Sequence, residues 1–150
     1  MGPLDLFDAL LLAVTSLRGE MAELTRKYDG FAPGAFEIEG FGSGGFRFAD
    51  MSHRGSIIAL PGGVHIWDAQ TPVEINEASL APIFNEPSGS IELLLIGTGR
   101  ELRPIRPDLR AALKAAGIGV DPMATPHAIA TYNILFAERR RVAAALLAVA

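Results

Sequence analysis

A chain of 150 residues, 49% apolar and 20% charged, is long enough for one domain with a sizeable core. It contains no cysteine, which excludes disulfides, thiol nucleophiles and cysteine metal sites and fits a reducing, cytoplasmic compartment. The net charge of −4 argues against bulk nucleic-acid binding, although residues 1–99 carry net −8 and residues 100–150 net +4.

Residues 4–18, LDLFDALLLAVTSLR, repeat apolar side chains at helical spacing. Leu6, Leu10, Ala13, Val14 and Leu17 share one face. The acidic start (Asp5, Asp8) and the short apolar run argue against a secretory signal or a membrane span. Met21 is an alternative start. Residues 1–27 are therefore expected to form a helical extension, and residues 28–150 a single α/β domain.

Alternation places one strand at Phe36, Ile38 and Phe41 and the next at Phe46 and Phe48. Gly42–Ser43–Gly44–Gly45 is the hairpin turn between them. A third strand covers Ile57–Leu60, and a fourth starts at Val64, Ile66 and Trp67 after Pro61–Gly62–Gly63. Asn76 is a candidate N-cap for a short helix reaching Phe84.

The stretch Ile91–Ile96 is the most apolar short run and sits between turn residues. It reads as a central strand covered on both faces. Pro107 opens a helix through Ala116, with Gly117 at C′. Ile118–Val120 is the next strand, parallel to the central one because a helix separates them. Thr125 as N-cap and Pro126 at N1 open the last clear helix. Val142–Val149 fits either a continuation of that helix or a buried strand.

LLLIGTG (93–99), LRAALKAAGIGVDPMATPHAIATYNILFAERR (109–140) and RVAAALLAV (141–149) carry a family resemblance, as does SIIALPGGVHIWD (56–68). The combination resembles a family of small domains of unknown function. That family includes the mitochondrial complex I (NADH:ubiquinone oxidoreductase) assembly factor 3 and many bacterial and archaeal proteins. The resemblance implies a three-layer α/β fold, with a mixed sheet carrying helices on one face and a β layer on the other. It implies a Rossmann-like βαβ half at 90–121 and an antiparallel last strand at Val142–Val149. It also implies protein partners, respiratory-complex subunits among them. The family usually has glycine where Arg139 stands and an acidic residue where Ala124 stands.

No catalytic set emerges from the residues. Gly97–Thr98–Gly99 after a strand, with Asp121 22 residues beyond Gly99, matches half of a dinucleotide fingerprint. Leu102 replaces the third glycine, Pro104 and Pro107 delay the helix, and Pro122 follows the acid. No cofactor is expected. His53, His65 and His127 are too scattered to suggest a metal site. Two readings from different classes follow. One is a non-catalytic binding or assembly module. The other is a small ligand- or anion-binding domain, or an enzyme, built on Gly97, Thr98 and Gly99. Arg100 and Arg103 would then supply positive charge and Thr125 and Asn133 polar contacts. For Asn133 the structural alternative is an amide that pins a neighbouring loop.

Overall fold

The computed structural model describes residues 30–150. The helical extension expected over residues 1–27 lies outside them. Within residues 30–150 nine strands make two sheets. The first two elements of the large sheet's edge are β1 (Phe31–Pro33) and, beside it, β6 (Gly63–Trp67). β5 (Ser56–Leu60), β9 (Val142–Leu146), β7 (Leu93–Gly97) and β8 (Gly119–Met123) complete it, in the order β1-β6-β5-β9-β7-β8. The small sheet joins β2 (Gly40–Gly42), β3 (Gly45–Phe48) and β4 (Met51–Arg54). Three α-helices accompany them: α1 (Ala81–Phe84), α2 (Pro107–Ala115) and α3 (Thr125–Ala137).

The strand expected to be central is β7, which lies one in from the β8 edge rather than at the middle of the sheet, although its Leu94, Leu95 and Ile96 have no exposed surface. Burial on both faces is what an unbroken apolar run permits. Successive side chains enter opposite layers. Leu94 and Ile96 meet Leu109 and Leu113 of α2, with Ile83 of α1. Leu95 meets Ala128, Ile129 and Tyr132 of α3, with Phe46 and Phe48 of the small sheet. The expected segregation of helices to one face needs correction: the helices flank both faces of the sheet, and α3 shares its face with the β layer. The topology demands this. β7–α2–β8 steps outward, whereas β8–α3–β9 steps back past β7. Two right-handed crossovers in opposite directions must lie on opposite faces.

Val142–Val149 is indeed a strand, shortened to Val142–Leu146. Its direction needs correction. It is antiparallel to β5 but parallel to β7, with Leu95 opposite Ala144. The 13 residues of α3 carry the chain back to the end of the sheet where β7 begins, so β9 can run alongside it. β8 is parallel to β7, as expected, and it extends through Asp121 and Pro122.

Local chemistry explains most boundaries. Ser43 and Gly44, both at positive φ, close the β2–β3 hairpin as a two-residue turn. Asn76 Oδ1 accepts from the Ser79 amide at 2.8 Å, yet the helix waits until Ala81. Phe36 and Ile38 form no strand, because their backbone is engaged by α3. Gly117 takes φ +78°, and the Ile118 amide donates to Leu113 O at 2.9 Å, a glycine-terminated helix end.

The end of α3 has the same bonding with the wrong residue. Arg139 adopts φ +61°, the Arg140 amide donates to Leu135 O at 3.0 Å, and the Arg139 amide to Phe136 O at 2.9 Å. A residue with a Cβ is strained in this region. Arg139→Gly should therefore stabilise the protein by about 1 kcal/mol, seen as a higher denaturant midpoint at unchanged slope.

Both borders of the large sheet carry proline. Ile66 N donates to Gly30 O and Gly34 N to Gly62 O, which leaves Phe31 and Pro33 facing away from β6. On the other border Gly119 N donates to Glu92 O and Met123 O accepts from Thr98 N. Parallel pairing alternates, so Val120 and Pro122 face outward.

Candidate functional site

β7, β8 and β9 are parallel, so their C-terminal ends converge. The loops after β7 and β8 leave toward opposite faces. In open α/β sheets that divergence opens a crevice that takes ligands. Gly97, Thr98, Gly99, Arg100, Arg103 and Thr125 all gather at this end.

The crevice is closed by the protein's own hydrogen bonds. Thr98 is buried, and its hydroxyl donates to Glu101 O at 2.7 Å and accepts from the Arg103 amide at 3.0 Å. The Thr98 amide donates to Met123 O at 2.9 Å. Thr125 has no exposed surface. Its hydroxyl donates to Leu147 O at 2.9 Å and accepts from the Gly99 amide at 3.0 Å. Its own amide donates to Gly99 O at 2.7 Å. One hydroxyl thus ties together the ends of three segments. Thr125 was expected at the N-cap, but Ala124 holds that position and Thr125 is the first helical residue.

The glycines serve this closure. A Cβ on Gly97 would lie 2.8 Å from Thr125 Oγ1 and 3.0 Å from Leu146 Cδ2, so Gly97 lets α3 approach the strand. Gly99 has φ +104° with open space around it, so it is required by conformation. The amides of Thr98 and Gly99, which an anion would use, already have acceptors within the fold.

Asn133 does not join this group. It lies eight residues along α3 from Thr125, about 12 Å at 1.5 Å per residue. Its Nδ2 donates to Ile38 O at 2.8 Å, and its Oδ1 accepts from the Ile38 amide at 2.9 Å. Next to it the buried Tyr132 hydroxyl donates to Phe36 O at 3.0 Å, and burial pushes that phenol's pKa upward. These two side chains hold the 36–38 connection against α3.

The loop outside the closed crevice is exposed and basic, though less so than its arginines suggest. Arg103 pairs with Glu101 at 3.0 Å. Arg106 meets Asp108 through two bonds, at 3.0 and 3.1 Å, which raises the guanidinium pKa and lowers that of the carboxyl. Leu102, 59% exposed, stands between Arg100 and Arg103. In the sequence it is notable only as the residue in place of the third glycine. Its neighbours signal this: Leu102 lies between Glu101 and Arg103 and two residues before Pro104, a setting that favours an exposed loop.

A shallow hollow of about 710 Å³ lies elsewhere, on the small sheet, between Gly40, Gly42, Gly45, Arg47 and Arg54. It shares no residue with the crevice. Among the described residues no three His, Asp or Glu side chains cluster as a metal site, and no helix is long and apolar enough to cross a membrane.

Comparison with known proteins adds the following. The family described as a protein of unknown function (DUF498/DUF598) matches residues 38–147. An uncharacterised protein of Rhodobacter capsulatus is 36% identical over 118 residues, covering 79% of this chain and 88% of its own. The NADH dehydrogenase [ubiquinone] 1 alpha subcomplex assembly factor 3 of Xenopus tropicalis is 33% identical over 110 residues, covering 73% of this chain. The chain spans only 60% of the length of that frog protein. Among solved structures, one titled an outer membrane protein from Bartonella henselae aligns with TM-score 0.74 and 48% identity, over 79% of this chain and 98% of its own. A Mth938-like domain from Bordetella pertussis aligns with TM-score 0.63 and 31% identity, over 75% and 85%.

Proposed function

We propose, from the premise that this chain belongs to the DUF498/DUF598 family, that it is a cytoplasmic, non-catalytic binding or assembly module. Its kinship with proteins named as complex I assembly factors supports an assembly role and makes respiratory-complex subunits the first partners to test. The observation that carries the reading is the closed crevice. Thr98 and Thr125 occupy with hydrogen bonds the place where this fold would admit a small substrate. What stays available is the surface of the loop beyond it. Arg100, Leu102 and Arg103 project there, an apolar tip between cations. Arginine suits carboxylates, so the partner surface is acidic with an apolar spot.

Replacing Arg100, Arg103 and Arg106 together by Ser is the test. Exposed charges add little to stability, so the thermal melt should stay nearly unchanged. Recovery of respiratory-complex subunits in a pull-down from the native cell should fall. Equal recovery by wild type and variant removes the loop from the interaction. In the same assay series a thermal shift with nucleotides or phosphate should be absent. A clear shift, abolished by the triple substitution, would favour the anion-binding alternative at Gly97–Gly99.

A further inference from the structure

The small sheet leaves one border open. Its two hairpins turn at Ser43–Gly44 and Ala49–Asp50, all four residues at positive φ. A two-residue turn closes on a hydrogen-bonded pair, which between β3 and β4 is Phe48 with Met51. The Gly55 amide donates to Gly44 O at 2.7 Å and fixes the same alternation from the other end. Phe46 and His53 are therefore bonded to each other, and the amides and carbonyls of Ser52 and Arg54 point away from β3. β4 is a border strand, so these two donors and two acceptors face outward. On the opposite border, β2, the same alternation turns only Phe41 outward.

The side chains along β4 are cationic. Between residues 30 and 99 the only Lys or Arg side chains are Arg47 and Arg54, against eight Asp and Glu. Arg54 stands on β4 itself. Arg47 reaches across from β3, and its Nη1 donates to Ser52 Oγ at 3.2 Å. Both arginines are exposed and share one face of the sheet. Among the described residues Arg54 has no ion pair. Arg47 Nε meets Glu39 at 3.8 Å, beyond hydrogen-bond length. The other face of β4 carries Met51 and His53, both half-buried.

We propose that β4 accepts a fourth strand from a partner protein, an extended segment with acidic residues at alternate positions. The strand adds antiparallel, like the rest of this sheet. Backbone pairing with Ser52 and Arg54 supplies the hold, and the alternate side chains supply the choice. Residues directly opposite Ser52 and Arg54 share their face, so acidic ones there lie beside the two guanidiniums. The residues between them fall on the face of Met51 and His53 and are apolar. A second copy pairing through the same border would set arginines against arginines, so the visitor is a different chain. The loop of Arg100 and Arg103 takes no part, and this inference stands whether or not that loop binds.

The test uses the full chain and a capped peptide of about six residues alternating Glu and Val. Amide exchange at Ser52 and Arg54 should slow on binding, and exchange at Phe41 should not change. Methylating the peptide's Glu amides, which face β4 in this register, should abolish binding. Methylating its Val amides should leave binding intact. Arg47→Ser with Arg54→Ser should weaken binding roughly tenfold while the melt stays nearly unchanged. A peptide of Lys and Val should not bind. Inorganic phosphate at constant ionic strength should not displace the acidic peptide. Absence of binding, unchanged exchange at Ser52 and Arg54, or survival of binding after Glu-amide methylation overturns strand addition. Displacement by phosphate overturns it in favour of a small-anion site in the hollow between Arg47 and Arg54.

Discussion

Leu94→Ala should lower stability by about 2–5 kcal/mol, the range for truncating a buried leucine. Leu94 has no exposed surface and is the second residue of β7, between Val120 of β8 and Ala143 of β9. Its side chain meets the layer of Leu109 and Leu113. Small collapse is available there, because β7 is fixed by a ladder on each side. The denaturant midpoint should fall at unchanged slope. Leu93, only half-buried at the start of the same strand, is the control, and Leu93→Ala should cost clearly less. A loss under about half a kcal/mol for Leu94→Ala would mean that β7 is not the centre of the fold.

The second large effect is expected at Thr125. Thr125→Val preserves shape and removes only the hydroxyl. Leu147 O then loses a donor at 2.9 Å and the Gly99 amide an acceptor at 3.0 Å, both beside a residue with no exposed surface. A buried group left without a partner costs about 1–3 kcal/mol, so the two together should cost about 2–4 kcal/mol. Thr125→Ser keeps the hydroxyl and should recover most of that loss, with urea melts of all three proteins as the measurement. If Ser is as damaging as Val, the methyl group rather than the hydrogen bonds holds this end of the sheet.

The sequence stated local features plainly. The apolar run of β7, Gly117 as a helix stop and the Ser43–Gly44 turn each rest on a few adjacent residues. Direction and layering were not legible from such windows. That β9 runs with β7 rather than against it depends on where α3 returns the chain. The site followed the same division. Gly97 to Gly99 suggested free amides, but their acceptors belong to Met123 and Thr125, more than 20 residues on. Thr125 suggested a cap because its role rests on bonds to Gly99 and Leu147. Asn133 was left between two roles, and its amide makes two hydrogen bonds to Ile38, 95 residues away, which no short window of sequence displays. The neutralisation of the arginine loop was readable, since Glu101 and Asp108 lie two residues from their partners.

The two prolines at the borders of the large sheet have a consequence for how anything can attach to it. A foreign strand extends a sheet by donating to and accepting from an exposed edge. Within β1 the only outward amide is that of Phe31, and within β8 that of Val120, because Pro33 and Pro122 have no N–H. A template with one donor per border cannot hold a visiting strand in register. Strand addition to the large sheet is thereby disfavoured, as is growth of one copy onto the next through its borders. A partner of the large sheet must therefore be met through side chains rather than through backbone pairing.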